Sequence, residues 1–377
     1  MSGLTEALGA TLDRVLDRCV RPFLRPASLR RASRSRLARP MARRSAARLF
    51  DLVSGFAYTQ VLLACVRLDL FERLADGARS AAELAPELGL DPARAEDLLD
   101  AAAALGLLRR RASGRYALAM LGAAVRANPG IAAMVEHNVL LYRDLEDPLA
   151  LLRGEVTDTA LSQYWPYAGS PSRDDLQAPG TSPYTDLMAA SQTLVADEVL
   201  DAVDLAGHRR LMDVGGGNGT FIRAAAARAT HLDFILFDLP PVAAAAERSL
   251  AAHALGARVD CVGGDFLREP LPRGADVATL VRVLHDWDDE GARVLLRALH
   301  DALPADGTLI VAEPMRGTPS ARRIGDVYFA LYFTAMGRGR ARSPARIRAL
   351  LEEAGFRAVR HLDTHVPLQT SVLVARR

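Results

Sequence analysis

The chain has 377 residues, 50% hydrophobic and 24% charged, a composition that folds rather than stays disordered. All 47 of its basic residues are arginine. Without lysine it cannot form a Schiff base with pyridoxal phosphate or a carbonyl, and it has neither a P-loop lysine nor a kinase strand lysine.

The net charge of +2 is a cancellation: residues 1–48 carry twelve arginines against three acids, and the rest of the chain has a matching excess of acids. Within this basic arm, Arg14, Arg18, Arg21 and Arg25 recur at helical spacing beside an apolar stripe of Leu8, Leu12, Val15 and Cys19. A basic amphipathic helix suits an anionic membrane surface or a partner protein. A solvated arm, or a helix packed on a partner subunit, fits the same pattern. No run of about 18 uncharged apolar residues occurs, so no transmembrane helix is expected. The N-terminus lacks a signal-peptide pattern. Cys19, Cys65 and Cys261 have no metal-ligand spacing, which points to a reducing cytoplasm and no metal.

Residues 49–75 read as a long helix with an apolar face that includes Leu49, Leu52, Phe56 and Leu62. Ser80 caps a helix over 81–88. Asp91 and Pro92 open another, running to about Leu107, and a basic hairpin follows over 109–116. Helix, turn, helix and wing form a winged-helix pattern. Its second helix carries Asp91, Glu96, Asp97 and Asp100 against Arg94, a balance that phosphates would repel. The unit therefore reads as a packing or dimerisation element with no nucleic-acid partner. Residues 120–200 read as helical around a Pro-, Gly-, Ser- and Asp-rich loop at 169–183. Tyr142, Tyr164, Trp165, Tyr167 and Tyr184 gather near it, to line an apolar pocket or to fill core.

From residue 209 strands and helices alternate. Strands are expected at 210–214, 234–237, 259–262, 277–284 and 308–312. Helices follow at about 290–303, 321–336 and 344–354, and strands at 357–362 and 371–376 close the chain. Alternation implies a parallel sheet covered on both faces, and the short link between the closing strands makes them antiparallel. Gly215, Gly217 and Gly219 leave the first strand and open a helix, where backbone can approach a ligand closely. Alone, that loop fits a dinucleotide or S-adenosylmethionine (SAM). Asp213, Asp238 and Asp265, at or just beyond three strand ends, decide between them. Three acids oppose a pyrophosphate but match a sulfonium and an ammonium. Asp238 is placed for ribose hydroxyls, and Asp265 with Phe266 for the adenine.

With these residues the chain resembles the SAM-dependent O-methyltransferases of the caffeate and flavonoid type. The matching stretches are Leu211-Met-Asp-Val-Gly-Gly-Gly-Asn-Gly, Phe237-Asp-Leu-Pro, Gly264-Asp-Phe, Leu284-His-Asp-Trp-Asp-Asp-Glu and Val311-Ala-Glu-Pro. Phe50-Asp-Leu-Val-Ser-Gly-Phe-Ala-Tyr, Tyr164-Trp-Pro-Tyr-Ala and Gly325-Asp-Val-Tyr-Phe are most similar to the bacterial methyltransferases of acyclic carotenoids.

The resemblance implies an α/β, Rossmann-like class I methyltransferase domain over 196–377. Its seven-stranded sheet would be mostly parallel with an antiparallel last strand. An all-helical, winged-helix-like dimerisation domain over 49–195 would precede it, with homodimers formed through that half. SAM contacts would come from Asp213, Gly215, Gly217, Gly219, Asp238, Leu239, Asp265, Phe266 and Met188. His285 would be the general base and Glu313 would orient it. Asp286, Tyr142, Trp165, Tyr328, Tyr332 and Met336 would line the pocket of a small lipophilic acceptor, the 1-hydroxyl of a hydroxyneurosporene or demethylspheroidene. Tyr328, Tyr332 and Met336 also suit ordinary helix core. A cytoplasmic protein touching the inner membrane through residues 1–48 is expected. A bacteriochlorophyll precursor or a phenolic natural product is the alternative acceptor, and a non-enzymatic winged-helix regulator is the alternative outside enzymes. One departure stands out. Where plant members carry a second acid in a Gly-Lys-Glu-Arg-like stretch, this chain has Gly339-Arg-Ala-Arg, with Ala341 in place of the acid. That leaves His285 with a single expected carboxylate partner.

Overall fold

A computed structural model describes residues 36–164, 195–318, 321–365 and 370–377, together with Asp17, Arg34 and Gln192. Trp165, Tyr167, Tyr184 and Met188, the 169–183 loop and nearly all of the arm before Arg36 lie outside the described residues. The chain divides into two compact units, Met1–Ala123 and Ala124–Arg377.

In the first unit, α1 spans Arg39–Arg67, with Pro40 in its first turn. It starts ten residues before its expected N-terminus and runs through the 48/49 boundary. After Pro40 the stretch is Ala- and Arg-rich with no helix breaker. By length and composition α1 is apolar enough to cross a membrane, contrary to expectation. Asp51 interrupts the apolar run from Leu49 to Val66 without ending it. Only Leu63 and Cys65 of this helix are buried; Leu52 is 76% and Phe56 74% exposed. Next come α2 (Leu70–Arg73), α3 (Ala81–Leu88), α4 (Pro92–Ala104) and the hairpin of β1 (Leu108–Arg110) and β2 (Tyr116–Leu118). Ser80 and Glu83 close a capping box on α3, and the Asp91 carboxylate caps α4. The wing is tied down by the acids of α4. The Tyr116 hydroxyl donates to Asp100 at 2.7 Å, and Arg110 donates to both Asp100 and Glu96.

The boundary between the units falls within α5 (Met120–Ala127). The helices α6 (Pro129–Asp144), α7 (Pro148–Leu152) and α8 (Ala160–Tyr164) supply Leu141, Leu151 and Leu161 to an apolar cluster with Phe329, Phe333 and Met336. Their apolar faces thus bind them to the second unit.

The sheet of that unit contains β3 (Arg210–Val214), β4 (Asp233–Asp238), β5 (Val259–Gly263), β6 (Val277–Val281), β7 (Thr308–Glu313), β8 (Arg357–Leu362) and β9 (Ser371–Arg376). Their order is β5-β4-β3-β6-β7-β9-β8, parallel except for β9, which runs antiparallel to both β7 and β8. Every residue of β6 and β7 is buried, as expected of central parallel strands. The helices α9 (Thr220–Arg228), α10 (Pro240–Ala252), α11 (Asp289–Ala302), α12 (Phe329–Met336) and α13 (Pro344–Glu353) follow strands or precede them in the expected alternation. Two further apolar clusters pack the sheet of this unit. One brings Met212 and Leu280 to Leu295 and Leu350, and the other brings Leu211 and Phe234 to Phe221 and Leu250. Strand order reverses between β3 and β6, so the crevice for a ligand opens beyond the carboxyl ends of these strands.

Two elements depart from expectation near that crevice. β6 ends at Val281 rather than residue 284, because Arg282 turns the backbone left-handed (φ +59°). The long helix over 321–336 begins as a π-helix over Arg323–Tyr328 and becomes α-helical only at Phe329.

Candidate active site

Asp213, the penultimate residue of β3, is 2% exposed and accepts a 2.7 Å hydrogen bond from the Thr279 hydroxyl on neighbouring β6. Beyond it the chain must turn sharply to start α9. Gly215 does this with φ +72°, and a Cβ there would lie 2.7 Å from the Val283 side chain. The loop is pinned from the next strand. Asp238, ending β4, accepts from the Gly217 amide at 2.9 Å and the Leu239 amide at 2.7 Å.

Burial pushes the Asp213 carboxyl up to about 7; the Thr279 bond opposes this and the Asp238 charge adds to it. Burial pushes Asp238 up to about 6, against its two amide bonds. Among the described residues no cation acts on either carboxylate. Two buried, mutually repelling acids beside a backbone loop fit a cationic ligand, and a buried charge without a partner is otherwise costly. Asp265, beyond β5, accepts from the Leu267 amide at 3.0 Å and lies 3.7 Å from Arg268. Phe266 meets Trp287 edge to face, with ring centres 5.1 Å apart.

The second cluster follows the left-handed turn at Arg282. His285 sits in a 3₁₀ turn, Leu284–Asp286, and is 6% exposed. Its Nδ1 is hydrogen-bonded to Oε2 of Glu313, the last residue of β7. The other oxygen of Glu313 accepts from the amides of Val283 (3.0 Å) and Leu284 (2.7 Å). The carboxylate is thereby locked in place, and it fixes the ring. Asp286 Oδ1 stands 3.2 Å from Nε2, at ion-pair distance without a well-aligned hydrogen bond. His285 thus has two carboxylates within reach, one at each ring nitrogen, and not the single partner expected. Burial lowers the pKa of His285, but Glu313 and Asp286 outweigh it and raise it to about 9.

The Gly339–Arg342 stretch closes in behind. Gly339 has φ +80°, and a Cβ there would stand 2.4 Å from the His285 carbonyl oxygen. The Arg340 amide donates to that carbonyl at 2.8 Å. Ala341 is buried in the α12 cluster. Arg342, unsuspected from the sequence, donates to the carbonyls of Leu284 (3.0 Å) and Trp287 (2.7 Å) and to Asp289 (2.9 Å).

The α12 region brings several expected pocket residues together. The Phe333 ring lies 4.9 Å from that of His285. Tyr332 and Met336 are buried on the same helix. The Tyr328 hydroxyl donates to Asn138 on α6 at 2.9 Å, and the Tyr332 hydroxyl meets His137 Nε2 at 2.7 Å. Tyr142 is half-buried on α6. His137 and Asn138 were not anticipated; a lone imidazole and amide inside a helical pattern carry no spacing signal. Among the described residues no group of His, Cys, Asp or Glu is arranged to hold a metal.

Comparison with known proteins gives one picture. Residues 142–357 match the O-methyltransferase domain and residues 50–125 the O-methyltransferase dimerisation domain. The latter match, which covers most of α1, supports a homodimer. The chain is 44% identical to the demethylspheroidene O-methyltransferase of Cereibacter sphaeroides over 92% of its own length and 91% of that protein. Identity to the same-named enzyme of Rhodobacter capsulatus is also 44%, over 89% of this chain and 84% of that one. Among solved structures, human N-acetylserotonin methyltransferase in complex with SAM superposes with a TM-score of 0.71 at 25% identity, covering 88% of this chain and 97% of that one.

Proposed function

The chain belongs to the SAM-dependent O-methyltransferases, and from that premise we propose that it methylates the 1-hydroxyl of an acyclic carotenoid of the hydroxyneurosporene or demethylspheroidene type. The observation that carries this reading is the 44% identity to demethylspheroidene O-methyltransferases across nine-tenths of the chain. The buried aromatic face of α12 beside His285 agrees with a lipophilic acceptor.

SAM is the cofactor, and when bound it supplies an electrophilic methyl group. We assign its hold to the Gly215–Gly219 loop, Asp213, Asp238, Leu239, Asp265 and Phe266, with Met188 outside the described residues. Asp213 and Asp238 offer negative charge to a cation, and the loop offers backbone amides. His285 Nε2 takes the proton that the acceptor oxygen gives up. Glu313 holds Nδ1 as the donor, so that Nε2 faces the acceptor, and stabilises the imidazolium that forms. Asp286 sits where it can accept a hydrogen bond from the acceptor hydroxyl or from protonated Nε2. Tyr142, Trp165, Tyr328, Tyr332 and Met336 are assigned to the acceptor wall. Purified protein, methyl-labelled SAM and 1-hydroxyneurosporene should yield a labelled polyene. Label reaching only a tetrapyrrole or a phenol refutes the acceptor. His285→Ala should lower turnover by roughly 10²–10⁴-fold.

Peripheral attachment of a cytoplasmic enzyme to the inner membrane is part of this reading. It rests on the arginine-rich arm and the lipophilic acceptor. Removing residues 1–38, which leaves α1 whole, should abolish co-sedimentation with anionic liposomes, and unchanged binding rejects the attachment.

A further inference from the structure

One buried side chain of the second unit has no part in that scheme. His137 is 8% exposed, and its Nε2 is engaged by the Tyr332 hydroxyl at 2.7 Å. Its Nδ1 is buried without a hydrogen-bond partner. Burial, with the nearby Arg282 charge, lowers its pKa to about 4, so the ring is neutral at working pH. A neutral imidazole has one N–H and one lone pair. If Nε2 accepts from Tyr332, the N–H at Nδ1 has no acceptor. If Nε2 donates, the lone pair at Nδ1 has no donor. Either tautomer leaves a polar atom unmet in a place where such atoms are rare.

The surroundings point to what meets it. The His137 ring lies 4.8 Å from that of Tyr164 and 5.7 Å from that of Tyr332. Around these rings the packing is apolar, from Leu141 and Leu161 to Phe329 and Phe333. Phe333, next in sequence to Tyr332, carries this cluster to the His285 ring at 4.9 Å. Arg282, whose charge acts on His137, lies three residues before His285.

We propose that His137 is an acceptor-binding residue whose Nδ1 hydrogen-bonds an oxygen of the acceptor lying against α12. The proposal rests on α12 being the acceptor wall. In an acceptor whose only oxygen is the reacting alcohol, that alcohol is the partner. His137, held by Tyr332, then selects hydroxylated chains over the corresponding hydrocarbons.

The test compares binding of 1-hydroxyneurosporene with neurosporene, and of 2-naphthol with naphthalene, by SAM-loaded wild type and His137→Phe. Wild type should favour the hydroxylated member of the pair it binds by roughly 5- to 100-fold. H137F should lose that preference to within about twofold. Its KM for the acceptor should rise by a similar factor and kcat should fall with it, with little change in SAM affinity. Preference for 2-naphthol alone, lost in H137F, would refute the carotenoid acceptor and support His137. Preference retained in H137F, or absent from wild type in both pairs, overturns the proposal. Should H137F fail to fold, Tyr332→Phe serves in its place. It frees Nε2 and lets the ring turn, so the preference should fall, and an unchanged preference overturns the proposal.

Discussion

Glu313→Gln probes the base directly. Glu313 is 2% exposed, gives one oxygen to two amides and the other to His285 Nδ1, and is the leading charge that raises His285 to about 9. Opposite charges about 4 Å apart at an effective dielectric constant near 20 interact by about 4 kcal/mol, which equals about three pKa units. Glutamine removes this while burial still disfavours the cation, so His285 should titrate well below 9. The amide also reverses the proton pattern. Its oxygen must keep accepting from Val283 and Leu284, so its NH₂ faces Nδ1 and demands a lone pair there. The proton then sits on Nε2, the atom required to be empty. In wild type, kcat/KM should rise with pH as His285 loses its proton, levelling above about 9. In E313Q the rise should move down by about three units, and the plateau should fall by roughly 10²–10⁴-fold. Initial rates with labelled SAM from pH 5.5 to 10 measure both quantities. An unmoved inflection with a normal plateau would refute the pairing as the source of basicity.

The acids of the cofactor loop give a second pH dependence. Asp213 and Asp238 must be ionised to attract SAM, so SAM affinity measured by calorimetry should fall as pH drops through about 7 and about 6, with protons released on binding. Because their folded-state pKa values lie above the ordinary carboxyl range, both acids should cost the ligand-free protein stability as pH rises over this window, and the Tm gain from SAM should grow in parallel. Gly215→Ala forces a left-handed backbone and a clash with Val283, and should lower unfolding stability by about 1–3 kcal/mol in thermal or urea melts; a change below about 0.5 kcal/mol would refute the strain. Phe56→Asp on α1 should turn dimer into monomer in sedimentation velocity. Two symmetry-related phenylalanines at about 2 kcal/mol each correspond to a Kd about a thousandfold weaker, and an intact dimer would move the interface elsewhere.

Local rules reach some of these features and not others. The Gly215–Gly219 loop was legible because strand, glycines and helix follow one another directly, and the acids at strand ends inherit their place from the parallel sheet. The two closing strands were legible because a short link permits only antiparallel pairing. The end of β6 was not. Arg282 adopts a left-handed turn that a side chain does not advertise, and the apolar run through Leu284 hides it. The start of the π-helix at Arg323 was equally silent, since the aromatic spacing after it reads as unbroken helix. Nor was the seating of the helices between residues 129 and 164. Leu141, Leu151 and Leu161 announce apolar faces, and only tertiary contact shows that α12 receives them. His137 was invisible for a related reason: its significance lies in an unmet nitrogen.

The charges explain why an arginine-rich chain keeps its catalytic crevice negative. Asp213 and Asp238 are held by hydroxyl or amide donors, which orient a carboxylate without cancelling its charge, whereas Glu313 is anchored by two amides and paired with His285. Arg342 runs past the back of His285, yet two of its donors go to the carbonyls of Leu284 and Trp287 and the third to Asp289. Its charge is largely committed to Asp289, which lies outside the crevice pair. An arginine salt-bridged to Asp213 or Glu313 would hold those groups more tightly and silence them, because a buried pair is neutral as a whole. Leaving Asp213 and Asp238 with neutral partners raises the free energy of the empty site, which a sulfonium or an ammonium relieves, while the charge of Glu313 is matched by the His285 imidazolium. Cofactor capture and proton uptake therefore draw on separate carboxylates, and Asp213→Asn and E313Q should each weaken one function with little effect on the other.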